Sequence, residues 1–174
     1  MTTFANWRHR LSEIPATGLK ASRTATEAER ARLAAELPIV SCEALSVDYR
    51  IKPEGRDRYA LTGRLKAELT QSCVVTLEPV AATLDEQIDC KFVSPELIPQ
   101  RQEAEQEVLS VEDLEPIEEG CIDIGRVVFE IVATSLNPYP RREGAEWQAP
   151  SREGASEDKE TGPFAALAGW KKTL

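Results

Sequence analysis

The order of apolar and polar residues predicts three strands in the middle of the chain. Apolar residues alternate with polar ones over residues 45–51, 59–69 and 84–92. This period of two is typical of a strand with one buried face. Residues 53–57 read Pro-Glu-Gly-Arg-Asp, which is the composition of a hairpin loop. The first two strands should therefore pair in antiparallel fashion.

Two segments with helical signals flank these strands. Thr26 and Glu29 fit a capping box, and the Ala-rich run that follows predicts a helix over residues 27–37. Asp123 can cap a second helix over residues 124–135, where apolar residues recur at helical spacing.

Strands and helices that are segregated along the chain favour an α+β fold over alternating βαβ units. We expect a single domain in which a curled antiparallel sheet of about four strands packs against two main helices. The patterns divide the chain into an irregular basic segment over residues 1–25, the α+β domain over residues 26–140, a mobile acidic loop over residues 95–119 within it, a disordered linker over residues 141–162 and a short amphipathic docking tail over residues 163–174.

The net charge of the chain bears on which partners the protein can bind. The 174 residues carry a net charge of −9, and the isoelectric point is near 4.8. Between Glu96 and Glu119, nine acidic residues stand against one basic residue. A protein that binds nucleic acid by neutralising phosphates usually has a basic field, which this chain as a whole lacks. Contact with RNA would then need a local basic patch or a protein partner.

Local basic clusters do occur near both ends of the sequence. The tail adds apolar residues at helical spacing, as expected of a segment that docks on a partner. A solvated charged surface explains the basic clusters equally well. The candidate contacts with RNA or a partner are Arg8, Arg10, Arg141, Arg142, Phe164, Leu167, Lys171 and Lys172.

Residues that usually carry chemistry are sparse. The only histidine, His9, has no fixed partner in the sequence, so we expect an ordinary surface residue and no catalytic group. No two of the four cysteines form a Cys-x-x-Cys pair, so no metal and no cofactor is expected. No secretory signal and no long apolar run is present, which favours a cytoplasmic protein with free thiols. The four are Cys42, Cys73, Cys90 and Cys121.

Cys73 follows the second predicted strand and a polar turn. A cysteine in this place is most simply a small apolar core residue. A redox or metal role would need neighbours that lower its pKa, and the sequence shows none.

Residues 63–67 read Gly-Arg-Leu-Lys-Ala, and residues 73–80 read Cys-Val-Val-Thr-Leu-Glu-Pro-Val. These two strings resemble the centre of the YceD family of large ribosomal RNA subunit accumulation proteins. The resemblance continues in residues 122–125, 137–141 and 163–167. The motif residues, which we expect to be structural, are Gly63, Cys73, Leu77, Glu78, Pro79, Val80, Asp123, Gly125, Pro138 and Pro140.

The resemblance implies a role in the accumulation of large-subunit ribosomal RNA, and it brings no catalytic residues with it. Many family members have a second cysteine where this chain has Thr76, so a metal site does not carry over. The Thr-containing form looks like the alphaproteobacterial branch. Two interpretations stay open: a monomeric assembly factor that stabilises the large-subunit RNA precursor, or an adaptor that binds a basic ribosomal or assembly protein without contacting RNA.

Overall fold

The computed structural model describes residues 3–55, 57–98 and 114–147. Short 3-10 turns lie at Leu11–Glu13 and Pro95–Leu97. The longer elements, in chain order, are β1 (Arg8–Arg10), β2 (Leu19–Thr24), α1 (Glu27–Glu36), β3 (Ser41–Pro53), β4 (Arg58–Ser72), β5 (Pro79–Val93), β6 (Leu114–Pro116), β7 (Cys121–Asp123) and α2 (Ile124–Ser135).

The main sheet has five strands in the order β2-β3-β4-β5-β6. Neighbouring strands are antiparallel, except that β6 runs parallel to β5. Strands β1 and β7 form a separate antiparallel pair. The α+β class and the two main helices are confirmed. The curled sheet of about four strands is wrong, because the sheet has five strands and is open.

Two short edge strands account for the difference. The sequence predicts an irregular segment over residues 1–25, yet β2 lies there and pairs with β3 along its whole length. Likewise β6 forms inside the predicted acidic loop of residues 95–119 and pairs with β5 over three residues. An edge strand needs only one row of backbone hydrogen bonds, so it can form without a clear apolar alternation.

The three long strands lie where the alternation predicts them. Residues of one parity are buried, as in the cross-strand row of Leu45, Ala67 and Leu84. Residues of the other parity, such as Asp48 and Arg64, are exposed. The sheet therefore has one covered face and one open face within the described part of the chain.

The helices and the N-terminal residues cover the buried face. Helix α1 packs on β3, and α2 packs on β5. Trp7 lies between the two helices: its indole N–H donates to Glu29 in α1 at 3.0 Å, and its carbonyl oxygen accepts from Ile124 in α2 at 3.0 Å. Trp7 thus connects the two helices to the same N-terminal segment.

Both predicted helix caps are confirmed. The Thr26 hydroxyl accepts from the Glu29 N–H at 3.3 Å, and the Glu29 carboxylate accepts from the Thr26 N–H at 2.8 Å. The Asp123 carboxylate accepts from the Arg126 N–H at 3.0 Å and begins α2. A cap satisfies N–H groups that have no partner inside the helix.

Several predictions lie outside the described residues. They are the greater part of the acidic loop (residues 99–113), residues 148–162 of the predicted linker, and the tail with Phe164, Leu167, Lys171 and Lys172.

Candidate functional site

The connection between β4 and β5 is a tight turn, here called the Cys73 turn (residues 73–78). The Cys73 N–H donates to the Glu78 carbonyl at 2.8 Å, and the Cys73 carbonyl accepts from the Leu77 N–H at 2.9 Å. Leu77 adopts a left-handed backbone conformation, with φ of 60°, that closes the loop. Pro79 and Val80 then begin β5 opposite Ser72 and Gln71.

The side chain of Cys73 sits inside a nest of N–H donors. Its Sγ atom accepts from the backbone N–H groups of Val75, Thr76 and Arg142, each at 3.4 Å. The thiol has no exposed surface. Cys73 is buried, as expected, but it does not belong to the connected apolar core that was expected for it, and its surroundings are polar.

This nest makes the thiol unusually acidic. The Thr76 hydroxyl, followed by the backbone N–H groups, lowers the pKa of Cys73 from an ordinary 9.0 to about 6. Hydrogen bonds to sulfur favour the thiolate because they stabilise its negative charge. The sequence-based expectation that no neighbour lowers this pKa is therefore wrong. One of the donors, Arg142, is 69 residues away in the sequence and could not be anticipated.

Residues 137–142, which follow α2, dock against the Cys73 turn. The Pro140 carbonyl accepts from the Val74 N–H at 2.9 Å, and the Asn137 carbonyl accepts from the Gln71 amide at 3.0 Å. The Arg142 guanidinium pairs with the Glu78 carboxylate. Two stretches that carry the motif residues thus form one contact unit, although the sequence separates them by most of the domain.

A groove of about 450 Å³ runs along this unit. Most of its lining is apolar and includes Val74, Leu77, Leu136 and Pro138. Leu77 is 79% exposed, which is high for a large apolar side chain.

Two further motif residues, Gly63 and Gly125, lie where neighbouring backbone leaves no room for a side chain. Gly63 lies under Tyr49, and a Cβ atom there would come within 2.5 Å of the Asp48 carbonyl. Gly125 lies against Phe4, and a Cβ atom there would come within 2.5 Å of the Phe4 carbonyl. Both glycines permit an approach of two backbone segments that any side chain would block.

The four predicted basic contacts that lie within the described residues occupy two segments, β1 and the stretch that follows α2. Arg8 pairs with Glu119 at 3.6 Å and with Asp123 at 3.5 Å, so its charge is partly neutralised. Arg10 and Arg141 are exposed.

His9 has a partner, contrary to the sequence-based expectation. Its Nε2 atom lies 2.7 Å from the Tyr49 hydroxyl, and the ring is only partly exposed. Burial, and then the nearby Arg23, lower the pKa of His9 below 6.5. The expectation of an isolated surface histidine is wrong because β1 and β3 come together only in the folded chain.

A basic cluster on the open face of the sheet was missed by the sequence interpretation. It consists of Lys20 on β2, Arg50 and Lys52 on β3, and Lys91 on β5. The sequence alone places Arg50 and Lys52 on the same face of β3, because they are two residues apart. Only the pairing of β2 with β3 shows that Lys20 lies beside them. A shallow groove of about 690 Å³ crosses the face beside Lys20, Arg50 and Arg64.

Other kinds of site find no support in the part of the chain that the structure describes. There, no three histidine, cysteine, aspartate or glutamate side chains are grouped so as to hold a metal ion. Over the same residues, no helix has the length and apolar character needed to cross a bilayer.

Comparison with known proteins gives one result. A family model described as "Large ribosomal RNA subunit accumulation protein YceD" matches residues 61–171, well over half of the chain. The match contains the Cys73 turn, α2 and residues 137–142. Searches among curated proteins and among solved structures give no match.

Proposed function

Because the chain belongs to the YceD family, we propose that it is a non-enzymatic ribosome-biogenesis factor that supports accumulation of large-subunit ribosomal RNA and assembly of the large subunit. The single observation that carries this proposal is the family match over residues 61–171. The description of the matching model names accumulation of the RNA and no reaction. On this proposal the protein acts as a cytoplasmic monomer.

The surroundings of the reactive side chains support a role without catalysis. The imidazole of His9 is engaged with the Tyr49 hydroxyl and is only partly exposed. The Cys73 thiol is acidic but fully buried, so a substrate could not reach its sulfur atom while residues 137–142 stay docked. Cys73, Glu78 and Pro140 instead join the Cys73 turn to residues 137–142, as a binding scaffold would require.

Depletion of the protein from its cell tests the proposal. We expect a lower ratio of large to small subunits on a sucrose gradient, together with fewer large-subunit RNA molecules. Re-expression of the wild-type chain should restore both. An unchanged subunit ratio after verified depletion would sink the proposal.

A second candidate function is an adaptor that binds a basic ribosomal or assembly protein without contacting RNA. The acidic run between Glu96 and Glu119 favours it, since its net negative charge would complement a basic partner even with Glu119 paired to Arg8. The two candidates differ in one measurement on the purified protein. Binding to RNA that weakens steeply with salt supports direct phosphate contacts, whereas no binding at low salt supports the adaptor.

A further inference from the structure

We propose that the basic cluster on the open face of the sheet (Lys20, Arg50, Lys52 and Lys91) binds the phosphate backbone of RNA. The inference rests on the proposed function and deepens it, because it assigns a surface and a ligand chemistry to a factor that acts on ribosomal RNA. The whole chain is acidic, so a local basic surface is what such contact would need.

The strand register places the four basic side chains side by side. One cross-strand row contains Lys52, Ala60 and Lys91. The next row contains Lys20, Arg50, Thr62 and Asp89. Across these two adjoining rows, four basic side chains therefore accompany a single acidic one.

Lys20 and Arg50 form a like-charged pair that the fold does not neutralise. They occupy directly opposite positions on β2 and β3, where like charges destabilise a sheet. Within the described residues, neither side chain lies within 4.0 Å of a carboxylate. Arg64, one row further, is by contrast paired with Asp85. An anion bound between Lys20 and Arg50 would remove their repulsion, so the arrangement suits a phosphate.

The shape of this face favours an extended ligand. No helix of the described chain covers it, and the small side chains of Ala60 and Thr62 leave space between the long basic ones. Side chains on one strand repeat about every 7 Å, and neighbouring strands lie about 5 Å apart. Two rows therefore place several cationic side chains within reach of one extended RNA backbone.

The described residues on the open face of β2 to β5 include no aromatic side chain, which limits the kind of RNA contact that this face can make. Over the described residues of β2 to β5, the aromatic side chains Tyr49, Tyr59 and Phe92 belong to the opposite parity, toward the core. Proteins that bind single strands through their bases usually offer aromatic surfaces for stacking. This face lacks them, so it suits phosphate contacts with little sequence preference.

Salt-dependent binding of RNA to matched charge variants of the full chain tests the inference. The test variant Lys20→Gln/Arg50→Gln removes two charges from the basic cluster. The control Arg23→Gln/Arg32→Gln removes two exposed charges that lie outside it. The probes are a fluorescent fragment of large-subunit ribosomal RNA and an unrelated RNA of equal length, followed by anisotropy.

We expect wild type and control to bind both RNAs with the same steep dependence on salt. The test variant should bind more weakly, and its slope of log affinity against log salt should fall by about 1.5, because each phosphate contact contributes about 0.7 to 0.9. The test variant should also be at least as stable as wild type in urea, since a repulsive pair has been relieved. Its folding therefore does not confound the comparison.

Three outcomes would overturn the inference. One is equal RNA binding by test variant and wild type, and another is no RNA binding by wild type at low salt. The third is tighter binding of poly-glutamate, which mimics an acidic protein, than of either RNA. None of these would contradict the proposed function if depletion still lowers the large-subunit ratio, so the two failures can be told apart.

Discussion

The backbone N–H of Arg142 donates to the Sγ atom of Cys73 at 3.4 Å, across 69 residues of sequence. The guanidinium of the same residue pairs with Glu78, at the other end of the Cys73 turn. Arg142 thus ties the segment after α2 to the β4–β5 connection through both its backbone and its side chain. The acidity of the Cys73 thiol consequently reports whether this segment is docked.

Cys73 should be ionised at neutral pH. We expect the ultraviolet absorbance of a thiolate to appear with a midpoint near pH 6, because N–H and hydroxyl donors lower the pKa of Cys73 to about 6. Cys73→Ser should remove this step. Cys42 should stay protonated through the same range, because burial raises its pKa. A Cys73 midpoint at the ordinary 9.0 would show that the nest does not form in solution.

The same thiol should make stability depend on pH. The pKa of Cys73 is about 6 in the folded chain and near 9.0 once unfolded, so the unfolded state binds more protons between these values. Stability from this group is therefore fully present above pH 9 and is lost as pH falls through 6. Urea unfolding should show a larger loss from Cys73→Ser at pH 9 than at pH 6. An equal loss at both values would contradict the prediction.

Thr76 should set much of the acidity of Cys73. Its hydroxyl is the largest contribution that lowers the pKa of the thiol. Thr76→Val keeps the shape and removes the hydroxyl, so the pKa of Cys73 should rise toward 9.0. Thr76→Ser keeps the hydroxyl and serves as the matched control, with a pKa close to wild type. The pH dependence of the thiolate absorbance measures both, and identical profiles for the two variants would argue against the role of the hydroxyl.

Gly125→Ala should destabilise the fold, although alanine is the better helix former. The added Cβ atom would lie 2.5 Å from the Phe4 carbonyl oxygen and 2.6 Å from the Phe4 Cβ atom, so the N-terminal segment must shift. Overpacking of this kind costs about 1–3 kcal/mol, while the propensity gain is about 0.5–1 kcal/mol. Urea unfolding measures the balance. Thr134→Ala, an exposed change in the same helix, should stay within about 0.5 kcal/mol of wild type.

His9 should titrate below its usual range. Burial, and then Arg23, lower the pKa of His9 below 6.5, so the unfolded chain binds the proton more readily than the folded one. Its contribution to stability is present above pH 6.5 and is lost as pH falls. Proton NMR of the single imidazole measures the pKa directly. His9→Gln should weaken the acid sensitivity, and an imidazole midpoint above 6.5 would show that burial does not dominate.

Local rules were enough for the elements with strong patterns. The alternation in β3 and β4, the caps at Thr26 and Asp123, and the apolar stripe of α2 each depend on neighbours within a few residues. Edge strands β2 and β6 have no such local signature, so the predicted strand count was too low. The family motifs were visible as an ordered series, but the contacts that connect them were not.

The sequence by itself determined the α+β class, the long hairpin, both helices and the family, because each of these is written in short-range periodicity or in the order of motifs. Only the tertiary structure decided the chemistry around Cys73, the partner of His9 and the basic cluster on the open face. Each of those joins residues from separate segments of the chain, since Tyr49 contacts His9, Arg142 contacts Cys73, and Lys20 lies opposite Arg50. Electrostatic and hydrogen-bond energies act over a few ångströms in space, and only strand register together with the packing of the elements brings these residues that close.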